Sequence, residues 1–179
     1  NFDEVARTFV GRCRKALLSP KDVSMLIAKH QPISDIESEF LQLGSRIFSA
    51  YLTRLEAENQ EDFDGLLERA GVAIEKGDTE FRRKSGNGDL KRIRFIMIDE
   101  FQDFTPLFLR MLHAILKHNP HLQVFCVGDD WQAINGFAGS NIEYFKNFDQ
   151  YFKPTVHLNI ATNYRSGSAI VELGNRIMI

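Results

Sequence analysis

Two short apolar runs, "IRFIMI" at 93–98 and "LQVFCV" at 122–127, flank one amphipathic segment, "TPLFLRMLHAILKH" at 105–118. Strand-length runs on either side of a helix-length segment spell a βαβ unit, and few folds accommodate one. The two strands must lie parallel in one sheet, joined by a right-handed crossover. Neither run alternates with polar residues, so both faces of that sheet are expected to be covered. Thr105 is the natural N-cap of the helix and Pro106 its first residue, a position that needs no amide proton. The chain is therefore expected to be α/β.

Residues 1 to about 60 carry apolar positions at helical spacing, in "NFDEVARTFVGRCRKALL" and again in "IESEFLQLGSRIFSAYLTRL". Ser34 and Glu37 stand in capping-box register at the second of these, with Pro32 just outside. "EDFDGLLERAGVAIEKG" is a further amphipathic helix, with Phe63, Leu66, Leu67, Ala70 and Ile74 on one face and Gly77 as its stop. Residues 78–92, "DTEFRRKSGNGDLKR", turn polar and basic and are broken by Gly86 and Gly88, which reads as a solvated surface loop. Beyond the second strand, a short helix is expected near Ser140 with Glu143 in capping-box register, then a strand at "TVHLNI", 155–160. The expected division is an all-helical segment at 1–58, an α/β part at 59–154, and the start of another lobe at 155–179.

A net charge of −2 argues against binding nucleic acid by bulk electrostatics and leaves local basic patches as candidates, such as Arg82, Arg83, Lys84, Lys91 and Arg92. Cys13 and Cys126 are far apart and lack CxxC spacing, which suggests neither a disulfide framework nor a thiolate metal site and fits a reducing, cytoplasmic setting. His113, His118 and His121 lack matching carboxylates and are expected to be surface residues rather than zinc ligands. No apolar stretch is long enough to cross a membrane, and "NFDEVARTFV" is unlike a signal peptide. The chain starts without Met and stops at "NRIMI" inside an apparent helix, so it is expected to be an internal piece of a longer protein.

In an open α/β sheet, ligands bind beyond the carboxyl ends of the strands. Asp99 and Glu100 follow the first strand, and Asp129 and Asp130 follow the second. Adjacent carboxylates repel by a few kcal/mol at a protein surface, roughly, and so call for a cation or water. A strand ending in Asp-Glu is the chemical pattern of phosphoryl transfer, with the Asp holding Mg²⁺ and its neighbour orienting or deprotonating water. The plainer reading has these acids capping the following helices in solvent. A Mg²⁺-dependent nuclease is weaker, since "IDEFQDF" has no lysine beside the pair.

Three motifs keep company in order: "DEFQD" at 99–103, "VGDDWQAINGFAGS" at 127–140 and "NYRS" at 163–166. In them the chain resembles the UvrD/Rep/PcrA family of superfamily 1 DNA helicases, and "GDDWQAI" is most similar to the helicase IV branch. "DFDGLL" at 62–67 is similar to the helix that precedes the Walker B strand in that family. The resemblance implies part of a RecA-like P-loop NTPase motor domain, ATP and Mg²⁺ as cofactors, single-stranded and duplex DNA as partners, and 3′ to 5′ unwinding. It implies Asp99 on Mg²⁺, Glu100 activating water, Gln102 in the same motif, Gln132 sensing the γ-phosphate, Arg165 as arginine finger and Tyr164 stacking on adenine. Phe137 would stack on a DNA base, with Asn135 in the same contact. Asn135 stands where the family commonly has Tyr, and Ala138 where it commonly has Arg.

No GxxxxGK[ST] occurs in the chain; "KSGNGDLK" has the wrong spacing and no hydroxyl after its lysine. The backbone nest and lysine that grip β- and γ-phosphates are thus absent from these 179 residues, and the chain by itself is expected to hydrolyse no ATP. The rival expectation is a helicase-like DNA-binding or regulatory module without motor activity.

Overall fold

The computed structural model describes residues 2–84, 86–133, 136 and 139–177, in two units, Asn1–Asn147 and Phe148–Ile179. The first unit opens with three helices, α1 (Phe2–Lys15), α2 (Pro20–Lys29) and α3 (Asp35–Ala57); α1 and α3 are the two segments whose periodicity predicts them, and α2 lies between them in the stretch expected to be helical. Cys13, Val23 and Phe48, one from each, are buried together, with Phe9, Val10, Ile27 and Leu52 around them. Gly44 lets α3 approach α1, since a Cβ there would lie 3.1 Å from the Phe9 ring. Ser19 and Asp22 form a full capping box on α2. Ser34 accepts from the Glu37 amide at α3, but the Glu37 carboxylate turns to the Ile33 N–H instead of closing the box.

α4 (Phe63–Glu75) packs along α5 (Pro106–His118), burying Ile74, Ala114 and Ile115 with Leu122. Gly77 ends α4 in the left-handed region, at φ 104°, as expected. The buried face of α4 is a correction: Phe63 is 72 % exposed and Leu66 and Ala70 are exposed, while Gly65, Gly71 and Ile74 face inward. Periodicity locates an apolar stripe, but the docking of α5 decides which stripe is covered. Bidentate pairing of Arg110 with Glu75, at 2.7 and 2.9 Å, closes the helix pair on its polar side. At the other end Asp62 caps α4, accepting from the Gly65 N–H at 2.6 Å. The same carboxylate accepts from Arg14 of α1 and from the Tyr51 hydroxyl of α3.

The segment expected as a loop is instead a hairpin, β1 (Glu80–Arg83) antiparallel to β2 (Gly86–Asp89), followed by a 3₁₀ turn at Leu90–Arg92. Its polar composition misled because a two-stranded arm in solvent needs no apolar face. Buried Asn119 pins its base, donating to the carbonyls of Leu90 and Ile93 at 2.9 and 2.7 Å.

β3 (Phe95–Ile98) pairs in parallel with β4 (Gln123–Cys126), Phe95 opposite Gln123 through Ile98 opposite Cys126, which is the βαβ pairing the sequence predicts. Coverage on both faces is not found among the described residues. Ile96 and Val124 pack on the α5 core, whereas Phe95, Met97 (78 % exposed), Phe125 and Val127 face away from it. One crossover helix covers one face, and the second face needs a layer that the described residues do not supply.

The short helix α6 (Glu143–Lys146) has Ile142 at its N-cap with no side-chain cap; Asn141, one residue earlier, accepts from the Glu143 N–H through Oδ1 at 3.1 Å, so the expected capping box at Ser140 and Glu143 does not form. In the second unit, α7 (Phe148–Tyr151) and α8 (Ser168–Ile177) flank an extended stretch. Residues 155–160 form no strand, and Val156, Leu158 and Ile160 stand exposed. Alternation alone makes no strand where no described backbone lies alongside to accept its ladder. Among the described residues no helix is long and apolar enough to cross a membrane.

Candidate functional site

Beyond β3 the backbone bends sharply, with Glu100 in the left-handed region at φ 52°, ψ 43°, and enters a 3₁₀ turn at Phe101–Asp103. A non-glycine residue rarely sits there, and the strain persists only where neighbours over-determine it. Phe101 is fully buried and stacks on Phe104 at a centroid distance of 4.6 Å, which anchors the turn. The ladder runs on past the strands: the Val127 N–H donates to the Ile98 carbonyl at 2.8 Å, and the Phe101 N–H to the Val127 carbonyl at 2.9 Å. The loops that carry the two acid pairs are therefore zipped together.

Gln102 completes the joint. It is 2 % exposed; its Nε2 donates to Glu100 Oε2 at 2.5 Å and its Oε1 accepts from the Asp129 N–H at 3.0 Å. Gly128 is required for this approach, since a Cβ there would come within 2.6 Å of that Oε1 and 2.9 Å of the Phe145 ring. Asp129 in turn accepts from the Trp131 N–H at 3.1 Å and from Gln132 Nε2 at 2.9 Å. Glu100, Gln102, Asp129 and Gln132 thus form one hydrogen-bonded chain across the ends of both strands. The depth of Gln102 went unnoticed in the sequence, where the signal was an amide set between Phe101 and Phe104 in a short apolar turn.

Substituting Gln102 tests that joint. Gln102→Leu keeps the volume but strands the Asp129 N–H and removes the donor to Glu100. A loss of about 1 to 3 kcal/mol of stability is expected, read from urea midpoints. Gln102→Glu should lose more, because it sets a second carboxylate against Glu100.

Asp99, Glu100, Asp129 and Asp130 are all exposed on this ledge, and Asp99 Oδ1 accepts from the Glu100 N–H at 3.0 Å. The amide of Gln102 supplies part of the compensation that adjacent acids require. Among the described residues, no three His, Cys, Asp or Glu side chains gather to hold a metal by themselves. Mg²⁺ keeps most of its waters and takes one or two carboxylates together with substrate phosphates, so a single exposed Asp99 fits its chemistry. A cavity of 330 Å³ opens to one side, lined by Lys15, Asp64, Asp103, Thr105 and Phe108 among others. Burial pushes the thiols of Cys13 and Cys126 up to about 11 and about 12, so neither is a thiolate at neutral pH.

In the second unit, Asn163 Oδ1 accepts from the N–H groups of Arg165 and Ser166, both at 2.9 Å, and this turn presents Tyr164 (90 % exposed) and Arg165 to solvent. Asn135, Phe137 and Ala138 lie outside the described residues.

A family profile described as the UvrD/REP helicase N-terminal domain matches residues 2–153. The chain is 33 % identical over 154 residues to DNA helicase IV of Escherichia coli, covering 86 % of this chain and 21 % of that protein. It is 30 % identical over 138 residues to a Bacillus subtilis protein named putative ATP-dependent DNA helicase YjcD, covering 76 % and 17 %. It is 27 % identical over 168 residues to the ATP-dependent DNA helicase UvrD2 of Mycobacterium tuberculosis, covering 92 % and 23 %. The chain spans about a fifth of the length of these curated relatives. With the profile spanning both acid-bearing strands and the helices before them, the chain belongs to the UvrD/REP helicase N-terminal domain family.

Proposed function

We propose that this chain contributes to an ATP-dependent DNA helicase, one that moves 3′ to 5′ along single-stranded DNA and unwinds duplex. The support is the hydrogen-bonded chain from Glu100 through Gln102 and Asp129 to Gln132, which joins the acid pair and the second motif at the ends of neighbouring parallel strands. In this reading β3, α5 and β4 belong to a RecA-like motor domain running over 59–154, with a helical insertion before it and a second motor domain beginning at 155.

Asp99 would hold Mg²⁺, which when bound would supply positive charge to offset that of the phosphates. Glu100, kept in one orientation by Gln102, orients and deprotonates water. Gln132 offers an amide that donates to phosphate and accepts from water. Arg165 and Tyr164 serve as arginine finger and adenine platform, and Phe137, beside Asn135, stacks on a base of the translocating strand. Lysine and backbone donors for the β- and γ-phosphates must come from outside residues 1–179, so the chain alone binds Mg-ATP poorly and does not turn it over.

The test is DNA-stimulated ATP hydrolysis by the full-length protein bearing Glu100→Gln or Arg165→Ala. Near-wild-type turnover in both would remove the assignment.

A further inference from the structure

The hairpin β1–β2 and the residues that follow it as far as Arg94 together concentrate positive charge. From Glu80, where β1 begins, to Arg94 there are six cations and two acids, a local charge of +4, which leaves −6 on the remaining residues of a chain whose net charge is −2. All six, Arg82, Arg83, Lys84, Lys91, Arg92 and Arg94, are exposed, and none forms an ion pair among the described residues. The two acids, Glu80 and Asp89, stand opposite each other at the base of the hairpin, and Asp89 is engaged locally, accepting from the Lys91 N–H at 2.9 Å. Like charges at this density repel, and a chain that keeps six of them together against only two acids has the electrostatic footprint of a polyanion site.

The hairpin also carries an aromatic face. Phe81 lies across Gly88, where a Cβ would come within 2.4 Å of the ring, so glycine is what lets the ring lie flat on the arm. The ring remains 39 % exposed, and the Arg83 guanidinium stands 5.7 Å from its centroid. A flat ring with a cation beside it is the pairing that single strands use, base on aromatic and phosphate on Arg or Lys. Buried Asn119, holding both ends of the 3₁₀ turn, ties the base of the arm to the end of α5. The arm is thus a fixed extension of the βαβ core.

We propose that the β1–β2 hairpin is a contact site for single-stranded DNA, its cations gripping phosphates and Phe81 stacking on a base. The hairpin is a different stretch of the sequence from the one expected to stack at Phe137, and the proposal rests on the DNA-binding reading above.

The measurement is binding of this chain to a fluorescein-labelled oligo(dT) strand by anisotropy, across a salt series, with circular dichroism to confirm folding. Each phosphate contact adds about 0.7 to the slope of log affinity against log salt for a single strand. The triple variant Arg82→Glu, Arg83→Glu, Lys84→Glu should bind at least tenfold more weakly at low salt, with the slope reduced by about 2. Phe81→Ala should weaken binding about tenfold with the slope unchanged, and Phe81→Trp should restore it. If the wild-type chain binds and the triple variant matches it in affinity and slope, the hairpin is not a contact and the helicase reading stands. If the wild-type chain binds no strand at all, both the hairpin contact and the DNA-binding reading of this chain are overturned. Equal weakening by Phe81→Ala and Phe81→Trp would reject the stacking role.

Discussion

Arg165→Ala in the full-length protein is expected to lower DNA-stimulated ATP turnover by about 10³ to 10⁵, the range over which an arginine finger acts. The residue is exposed on a turn built by Asn163, and its backbone N–H rather than its guanidinium makes the structural contact, so the fold should survive the change. Glu100→Gln should cost about 10² to 10⁴ in the same assay, because an amide cannot take a proton from water. The Gln102 donor at 2.5 Å can still find an amide oxygen at residue 100, so this loss is chemical. In both variants nucleotide affinity should change by only a few fold, so the effect falls on turnover rather than on KM. A parallel fall in affinity and turnover would instead mark these residues as binding groups.

Asp62→Ala is the second large effect, and it falls on stability. The carboxylate caps α4, accepts both nitrogens of the Arg14 fork at 2.9 and 3.1 Å, and accepts from the Tyr51 hydroxyl at 2.8 Å. Both charged side chains of the pair are largely buried, at 12 % and 19 % exposure, so removal strands a guanidinium in a site with little water. Breaking a buried pair costs about 3 to 5 kcal/mol, and loss of an N-cap about 1. Since Glu68 remains 3.2 Å from Arg14 to share its charge, the lower part of the combined range, about 3 kcal/mol, is expected from urea unfolding.

The acid limb of stability follows from the same residue. Burial pushes the Asp62 carboxyl up, but Arg14, Tyr51 and the Gly65 N–H together hold it below the ordinary carboxylate range. Its contribution is fully present above the unfolded-state value and is lost as pH falls through the folded one. Asp64 next to it works in the other sense: burial raises its carboxyl, so its protonated form favours the fold, and that gain disappears as pH rises through the raised value. In Asp62→Asn the urea midpoint should therefore fall less between neutral pH and pH 3 than in the parent chain.

Local chemistry was enough to read much of this molecule. Thr105 and Pro106 announce the start of α5, Gly77 the end of α4, and two apolar runs the parallel pair β3 and β4, because caps, φ preferences and strand burial act within a few residues. The motif order places Asp99, Glu100 and Gln132 after those strands. What tertiary packing alone decided concerns partners. The buried stripe of α4 depends on where α5 docks; the outer face of β3 and β4 depends on a layer the sequence of the strands cannot count; and 155–160 alternates like a strand yet pairs with nothing described. The joint at Gln102 belongs to the same class. An amide's value there arises only when Glu100 and Asp129, 29 residues apart in the chain, are zipped side by side, and that proximity comes from the ladder rather than from any pattern around residue 102.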